Sequence, residues 1–209
     1  ANENALHLAR KATGRTAVAS VTGGWHGRTV ATLACCDGRS YEAGALRAGM
    51  ALSARVAFDD IASLDAVLDD TMAALIVEPV QGMAGARDCS PEFLAAARRL
   101  CTERGIALLF DEVQCGVGRS GAFTAAELYG VAPDGLTLAK GLGSGYPIGA
   151  VVAGPMLATG IGVGDLGSTF GGGPVACAAA LATLSVIADE DLLGNAARVG
   201  AHIAAGARA

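Results

Sequence analysis

Ile106-Ala107-Leu108-Leu109-Phe110, followed at once by Asp111-Glu112-Val113-Gln114, is the stretch whose reading decides the fold. A short apolar run between Gly105 and a pair of acids reads as a strand buried on both faces, the kind found in a largely parallel sheet. A second such run, Gly135-Leu136-Thr137-Leu138-Ala139, follows the turn Ala132-Pro133-Asp134 and stops at Lys140, in front of the glycine-rich segment Gly141 to Pro147. In open α/β sheets ligands bind in the crevice beyond the carboxyl ends of the strands. Asp111, Gln114 and Lys140 are therefore expected to face one crevice.

Strands and helices alternate outward from this point. Thr16–Val21 and Ala73–Val77 read as further strands, and Ile148–Ala153 as a last one. Helices are expected over residues 1–12, 61–70, 91–103, 122–129, 174–188 and 191–209. Ser90-Pro91-Glu92 is a helix start, with serine as N-cap, proline at the first helical position and an acid in the first turn. Residues 36–60 read as irregular, a surface loop with turn signals at Asp37-Gly38 and Ala43-Gly44. The alternation predicts an α/β fold, a three-layer α/β/α arrangement around a mostly parallel sheet.

Composition bounds the function. With 209 residues, 52% of them hydrophobic, the chain can fill one sizeable core. Apolar stretches are broken by charge or glycine before the roughly 18 to 20 residues that a spanning helix needs. A net charge of −5 gives no basic footprint for nucleic acid. The 6 cysteines are scattered, without Cys-x-x-Cys spacing, and read as reduced, buried thiols of a cytosolic protein rather than a metal site. The opening helix has no N-cap residue and the last helix has no closing element, so the sequence reads as an excerpt of a longer chain.

Chemistry is carried by a lysine and an acid at two strand ends. A lysine beside apolar strand ends and glycine backbone, partly stripped of water, is a nucleophile toward a carbonyl, and a carboxylate suits a protonated ring nitrogen. These are the two groups a protein uses to hold pyridoxal phosphate. The same spacing also fits a loop-capping Asp111 and a surface Lys140. Gly23 to Thr29 is a glycine-flanked turn carrying Trp25, His26 and Arg28; an aromatic plane beside a guanidinium can stack a flat heterocycle and clasp a carboxylate. Gly116-Val117-Gly118-Arg119-Ser120-Gly121 matches a dinucleotide-binding pattern, but Asp111 to Gln114 separate it from its strand and no acid follows at the required distance. Ser168 and Thr169 stand before Gly171-Gly172-Gly173 and a helix start, where hydroxyls and free amides suit either a phosphate or a simple cap.

Taken in order, Ala1-Asn2-Glu3, Trp25 to Thr29, Val77 to Gly82, Asp111 to Gln114 with Gly116 to Arg119, Leu138 to Gly141, Pro147 to Ala150 and Gly167 to Gly172 resemble the class III (acetylornithine/ornithine-type) aminotransferases, pyridoxal-phosphate enzymes of fold type I. The resemblance implies that residues 1–209 are part of the cofactor-binding large domain, with a flanking N-terminal segment and a C-terminal small domain outside it. It implies Lys140 as the Schiff-base lysine that moves the substrate proton, and Asp111 as the partner of the pyridinium nitrogen. Trp25 and Val113 would take the ring faces, Gln114 the ring oxygen, and Glu112 would belong to the same cofactor-binding segment. Arg28 would receive a substrate carboxylate, and Thr169 and Ser168 would reach the phosphate or substrate of a neighbouring subunit in a cytoplasmic homodimer. The implied activity is transfer of an amino group from an amino acid or ω-amine to 2-oxoglutarate, as in arginine biosynthesis. Another reaction on the same scaffold (aminomutase, racemase or decarboxylase) and a non-catalytic dimerisation module stay open. Met83 departs from the family pattern, standing where many members have a glutamate, and Gly173 replaces a commoner asparagine.

Overall fold

A six-stranded sheet organises the computed structural model, which describes residues 1–208. In chain order its elements are α1 (Asn2–Thr13), β1 (Ala17–Val21), α2 (Val30–Cys35), α3 (Arg39–Arg47), β2 (Ala54–Val56), α4 (Ile61–Val67), β3 (Met72–Val77), β4 (Val80–Gln81), β5 (Arg87–Asp88) and α5 (Pro91–Arg104). They continue with β6 (Ala107–Asp111), α6 (Ala125–Tyr129), β7 (Gly135–Leu138), a 3-10 turn (Lys140–Gly143), β8 (Ala150–Ala153), α7 (Pro155–Ala158), α8 (Pro174–Asp189) and α9 (Leu192–Arg208). The strand order is β2-β1-β3-β6-β7-β8, with β4 and β5 forming a separate small hairpin.

Every pairing from β2 to β7 is parallel, and β8 runs antiparallel to β7. The expected mostly parallel sheet is present. The connection from β7 to β8 holds only a 3-10 turn, too short for the crossover that a parallel neighbour requires. Residues 36–60 are not irregular: they form α3 and the edge strand β2, whose Ala54, Arg55 and Val56 pair with Ala19, Ser20 and Val21. Nothing within three residues announces a strand there; the free edge of β1 creates it. The predicted last helix begins at Leu192, and its final residue, 209, lies outside the described ones.

Residue parity along the strands sorts the core into two layers. Ala74, Ile76, Ala107 and Leu109 pack against Ala5, Leu6, Leu8 and Ala9 of α1 and Leu157 of α7. Leu75, Val77, Leu108 and Phe110 turn the other way, onto Phe93, Leu94, Ala97 and Leu100 of α5 and Leu64 of α4. Helices therefore cover both faces, which is the predicted three-layer arrangement. The start of α5 is as read: the Ser90 side chain accepts from Phe93 N, and Gly105 closes the helix at φ 61°. Parity also decides a functional matter. Asp111 falls on the side of Ala107 and Leu109, so its carboxylate emerges beneath the first turn of α1.

Five of the six cysteines are buried and free, while Cys177 is exposed on α8. None of the helices described is long and apolar enough to cross a membrane. Phe93 is fully buried between α5 and the sheet. Its replacement by alanine is expected to destabilise the fold by about 3–5 kcal/mol, read by chemical denaturation.

Candidate active site

The strand register brings the chemistry to one level. Val77 pairs with Phe110 and Asp111 pairs with Thr137, so Glu78 just past β3, Asp111 at the end of β6 and Thr137 in β7 lie side by side. The loop leaving β1 and the turn leaving β7 rise beside them. Between these tips opens a cavity of about 200 Å³ whose lining includes Trp25, Arg28, Glu78, Asp111, Gln114 and Lys140. Val113 lines it too, as do Asn2 and His26.

Asp111 is the fixed point. It is 3% exposed. One carboxylate oxygen accepts from Asn2 Nδ2 at 2.6 Å and faces His26 Nδ1 at 2.8 Å; the other accepts from the Val113 amide at 3.1 Å. Asn2 is itself held, donating to the His26 carbonyl at 2.7 Å and accepting from Thr137 Oγ1 at 2.6 Å. A buried carboxylate is tolerable only when its lone pairs are satisfied, and here α1, the β1 loop, β6 and β7 each contribute to that.

Lys140 stands opposite. Its backbone has φ 43°, a left-handed conformation that costs a non-glycine residue about 1–3 kcal/mol and is held here by its surroundings. Leu142, buried two residues on, packs with Leu138 and Ala180 and anchors the turn. The Lys140 ammonium donates to Gln114 Oε1 and lies 5.9 Å from the centre of the Trp25 ring. The desolvation expected of this lysine is not what the structure has: the residue is exposed, because the cavity opens on that side.

The other residues singled out in the sequence fall in different places. Arg28 lines the cavity, exposed at its mouth, and makes no ion pair or hydrogen bond among the described residues. Glu112 belongs to the fold instead of the cavity. Its two oxygens accept from the Ala125 and Ala126 amides at 2.6 and 2.9 Å, capping α6, and burial pushes its carboxyl above the usual range. Ser168 and Thr169 are exposed in the turn before α8, and this chain does not bring them to the cavity; Ser168 lines a separate pocket with Asn4 and Gly171. Met83 is 71% exposed on the turn between β4 and β5.

Four residues carry more than the sequence reading gave them: Asn2, His26, Glu78 and Thr137. Thr137 was findable as the lone hydroxyl of an apolar strand. Asn2 was not, since nothing local tells that the first turn of α1 roofs Asp111. Glu78 is buried, and its Oε1 accepts from the Trp25 amide at 2.7 Å. Burial raises its carboxyl above the usual range, offset in part by His26 and the Trp25 amide and reinforced by Asp111.

The arrangement has an anion fixed on one wall, an amine on the other, and an indole face and a valine beside them. That set fits a flat cationic heteroaromatic ring bearing a carbonyl, with pyridoxal phosphate as the matching cofactor. Comparison with known proteins agrees in kind. A family model described as aminotransferase class-III matches residues 1–208. An acetylornithine aminotransferase of Methanocaldococcus jannaschii is 45% identical over 201 residues, covering 92% of this chain and 49% of the relative. A 5-aminovalerate aminotransferase of Pseudomonas aeruginosa is 40% identical, covering 99% of this chain and 52% of the relative. Among solved structures, a PLP-bound amine transaminase from an uncultivated Pseudomonas species superposes with a TM-score of 0.85 at 34% identity, over 97% of this chain and 53% of that one. The chain spans about half the length of the curated relatives it matches.

Because burial raises the Glu112 carboxyl, the proton it holds in the fold contributes stability below the unfolded-chain value, and that contribution is lost as pH rises through the raised folded value. Relative to the parent, Glu112→Gln is therefore expected to gain stability as pH rises above the ordinary glutamate value of about 4.3. Denaturant titrations across that range measure it; a constant difference would count against the assignment.

Proposed function

The chain belongs to the class III aminotransferase family, and from that premise we propose that this protein moves an amino group from a carboxylate-bearing amino acid or ω-amine to 2-oxoglutarate. The observation that carries the proposal is the pairing across one cavity of the Asp111 carboxylate and the Lys140 amine beside the Trp25 indole.

Pyridoxal 5′-phosphate, when bound, supplies an electron sink for the bond broken at the substrate carbon. Asp111, held by Asn2, His26 and the Val113 amide, would be the carboxylate that keeps the ring nitrogen of the cofactor protonated. Trp25, Val113 and Gln114, which line the same cavity, would hold the cofactor ring by its faces and its oxygen. Lys140 Nζ would be the amine that holds the cofactor, and the same nitrogen is the base available in the cavity to take and return the proton at the substrate carbon bearing the amino group. Its flexible stem and exposed position suit a group that must swing between these duties. The Arg28 guanidinium, without an ion pair or hydrogen bond among the described residues, can grip a substrate carboxylate with two parallel hydrogen bonds. Ser168 and Thr169 serve the site of a second copy in a homodimer, reaching the cofactor phosphate or the substrate there. The protein is placed in the cytoplasm by this reading. Relatives that act on acetylornithine and on 5-aminovalerate by name mark out the range of donors to test.

In the full-length protein, Lys140→Ala is expected to abolish the cofactor's absorbance signature and to lower amino transfer by about 10² to 10⁴ or more. Asp111→Asn should retain bound cofactor yet slow turnover by orders of magnitude, because the ring nitrogen is no longer held protonated. Labelled 2-oxoglutarate and a panel of amines provide the assay; undiminished transfer by either variant would refute the roles assigned.

A further inference from the structure

Four successive backbone N–H groups in the loop that carries the indole each find a different acceptor. Gly23 donates to Asp37 Oδ2 at 2.7 Å, Gly24 to the Val21 carbonyl at 3.0 Å, Trp25 to Glu78 Oε1 at 2.7 Å and His26 to Cys36 Sγ at 3.1 Å. Of these acceptors only Glu78 also lines the cavity. The segment after β3 grips the loop a second time, through Gln81 Nε2 donating to the Thr22 carbonyl at 2.9 Å. Loop and segment are thus clasped at Thr22 and at Trp25. Between the two grips Gly23 leaves no room: a Cβ there would lie 2.8 Å from Gln81 Oε1.

We propose that Glu78 is a positioning residue of this site, whose carboxylate pins the Trp25 backbone and so fixes together the indole face and the neighbouring His26 that contacts Asp111. The proposal rests on the function assigned above and extends it to a residue that the function did not use. The indole plane is set by where its own backbone stands, and three of the four acceptors lie outside the cavity. Glu78 is the one that couples the loop to the strand tip beside Asp111. Its titratable neighbours are His26 on the loop and Asp111 on β6, and burial already makes its charged form expensive, which agrees with a group kept for its accepting oxygen.

The test uses the full-length protein with selectively ¹⁵N-labelled tryptophan, the Trp25 amide and indole resonances being assigned by their loss in Trp25→Phe. In the cofactor-free state, Glu78→Ala is expected to shift and broaden both resonances, and pyridoxal 5′-phosphate affinity measured by dialysis should weaken about tenfold, the size of one lost hydrogen bond. Glu78→Gln keeps an accepting oxygen and is expected to restore both readouts to within about threefold of the parent. Should Glu78→Ala fail to fold, Glu78→Met fills the space without a strong acceptor and takes its place. Unchanged Trp25 resonances in the alanine or methionine variant, or a glutamine variant as impaired as alanine, would overturn the proposal. The resonances are read without cofactor, so they answer even if the cofactor assignment fails. That assignment has its own arm: a Lys140→Ala protein with unaltered cofactor absorbance refutes it and leaves the Glu78 result standing.

Discussion

A carboxylate buried at the tip of a central strand must be surrounded by donors, and in this protein that requirement ties the molecule together. Asp111 draws on Asn2, far away in sequence at the start of α1, on His26 in the loop after β1, and on the amide of Val113 two residues on. Each donor belongs to an element that also packs in the core, so the acid can be buried only if α1, β1, β6 and β7 have all reached their native places. The energetic logic runs both ways. An unsatisfied buried carboxylate would be costly, and the same donors hold the oxygens in one orientation facing the cavity.

Lys140 shows the opposite strategy. Its backbone is held in a left-handed conformation at the start of a short turn, while its side chain is left exposed and lightly tethered to Gln114 and the Trp25 face. Strain of this kind persists only where neighbours enforce it, here the buried Leu142 and its contacts with Leu138 and Ala180. A buried acid and an exposed amine thus share one cavity.

Away from the site the chain is less enclosed. Val175, Leu181 and Val186 on α8, with Val199 and Ile203 on α9, are exposed, and none of the described residues of α9 is buried. The sheet core, by contrast, is closed on both faces. The cavity therefore lies at the ends of β3 and β6, the strands buried along their whole length.

Much of this was legible without coordinates. Short apolar runs ending in Asp111 and Lys140, alternating with capped helices, determined the α/β class and placed acid and amine at strand ends, because a strand buried on both faces carries its charged residues at its tips. Ser90, Pro91 and Gly105 determined the limits of α5, since caps act through neighbours in sequence. Only the tertiary structure decided that Glu112 turns away to cap α6, that β8 runs antiparallel, and that residues 39–56 supply a helix and an edge strand. It alone showed Asn2 and Thr137 completing the shell of Asp111 and Glu78 holding Trp25. The reason is physical: local pattern reports which groups must be buried or capped, whereas a hydrogen-bond partner tens of residues away exists only once packing has brought two elements together.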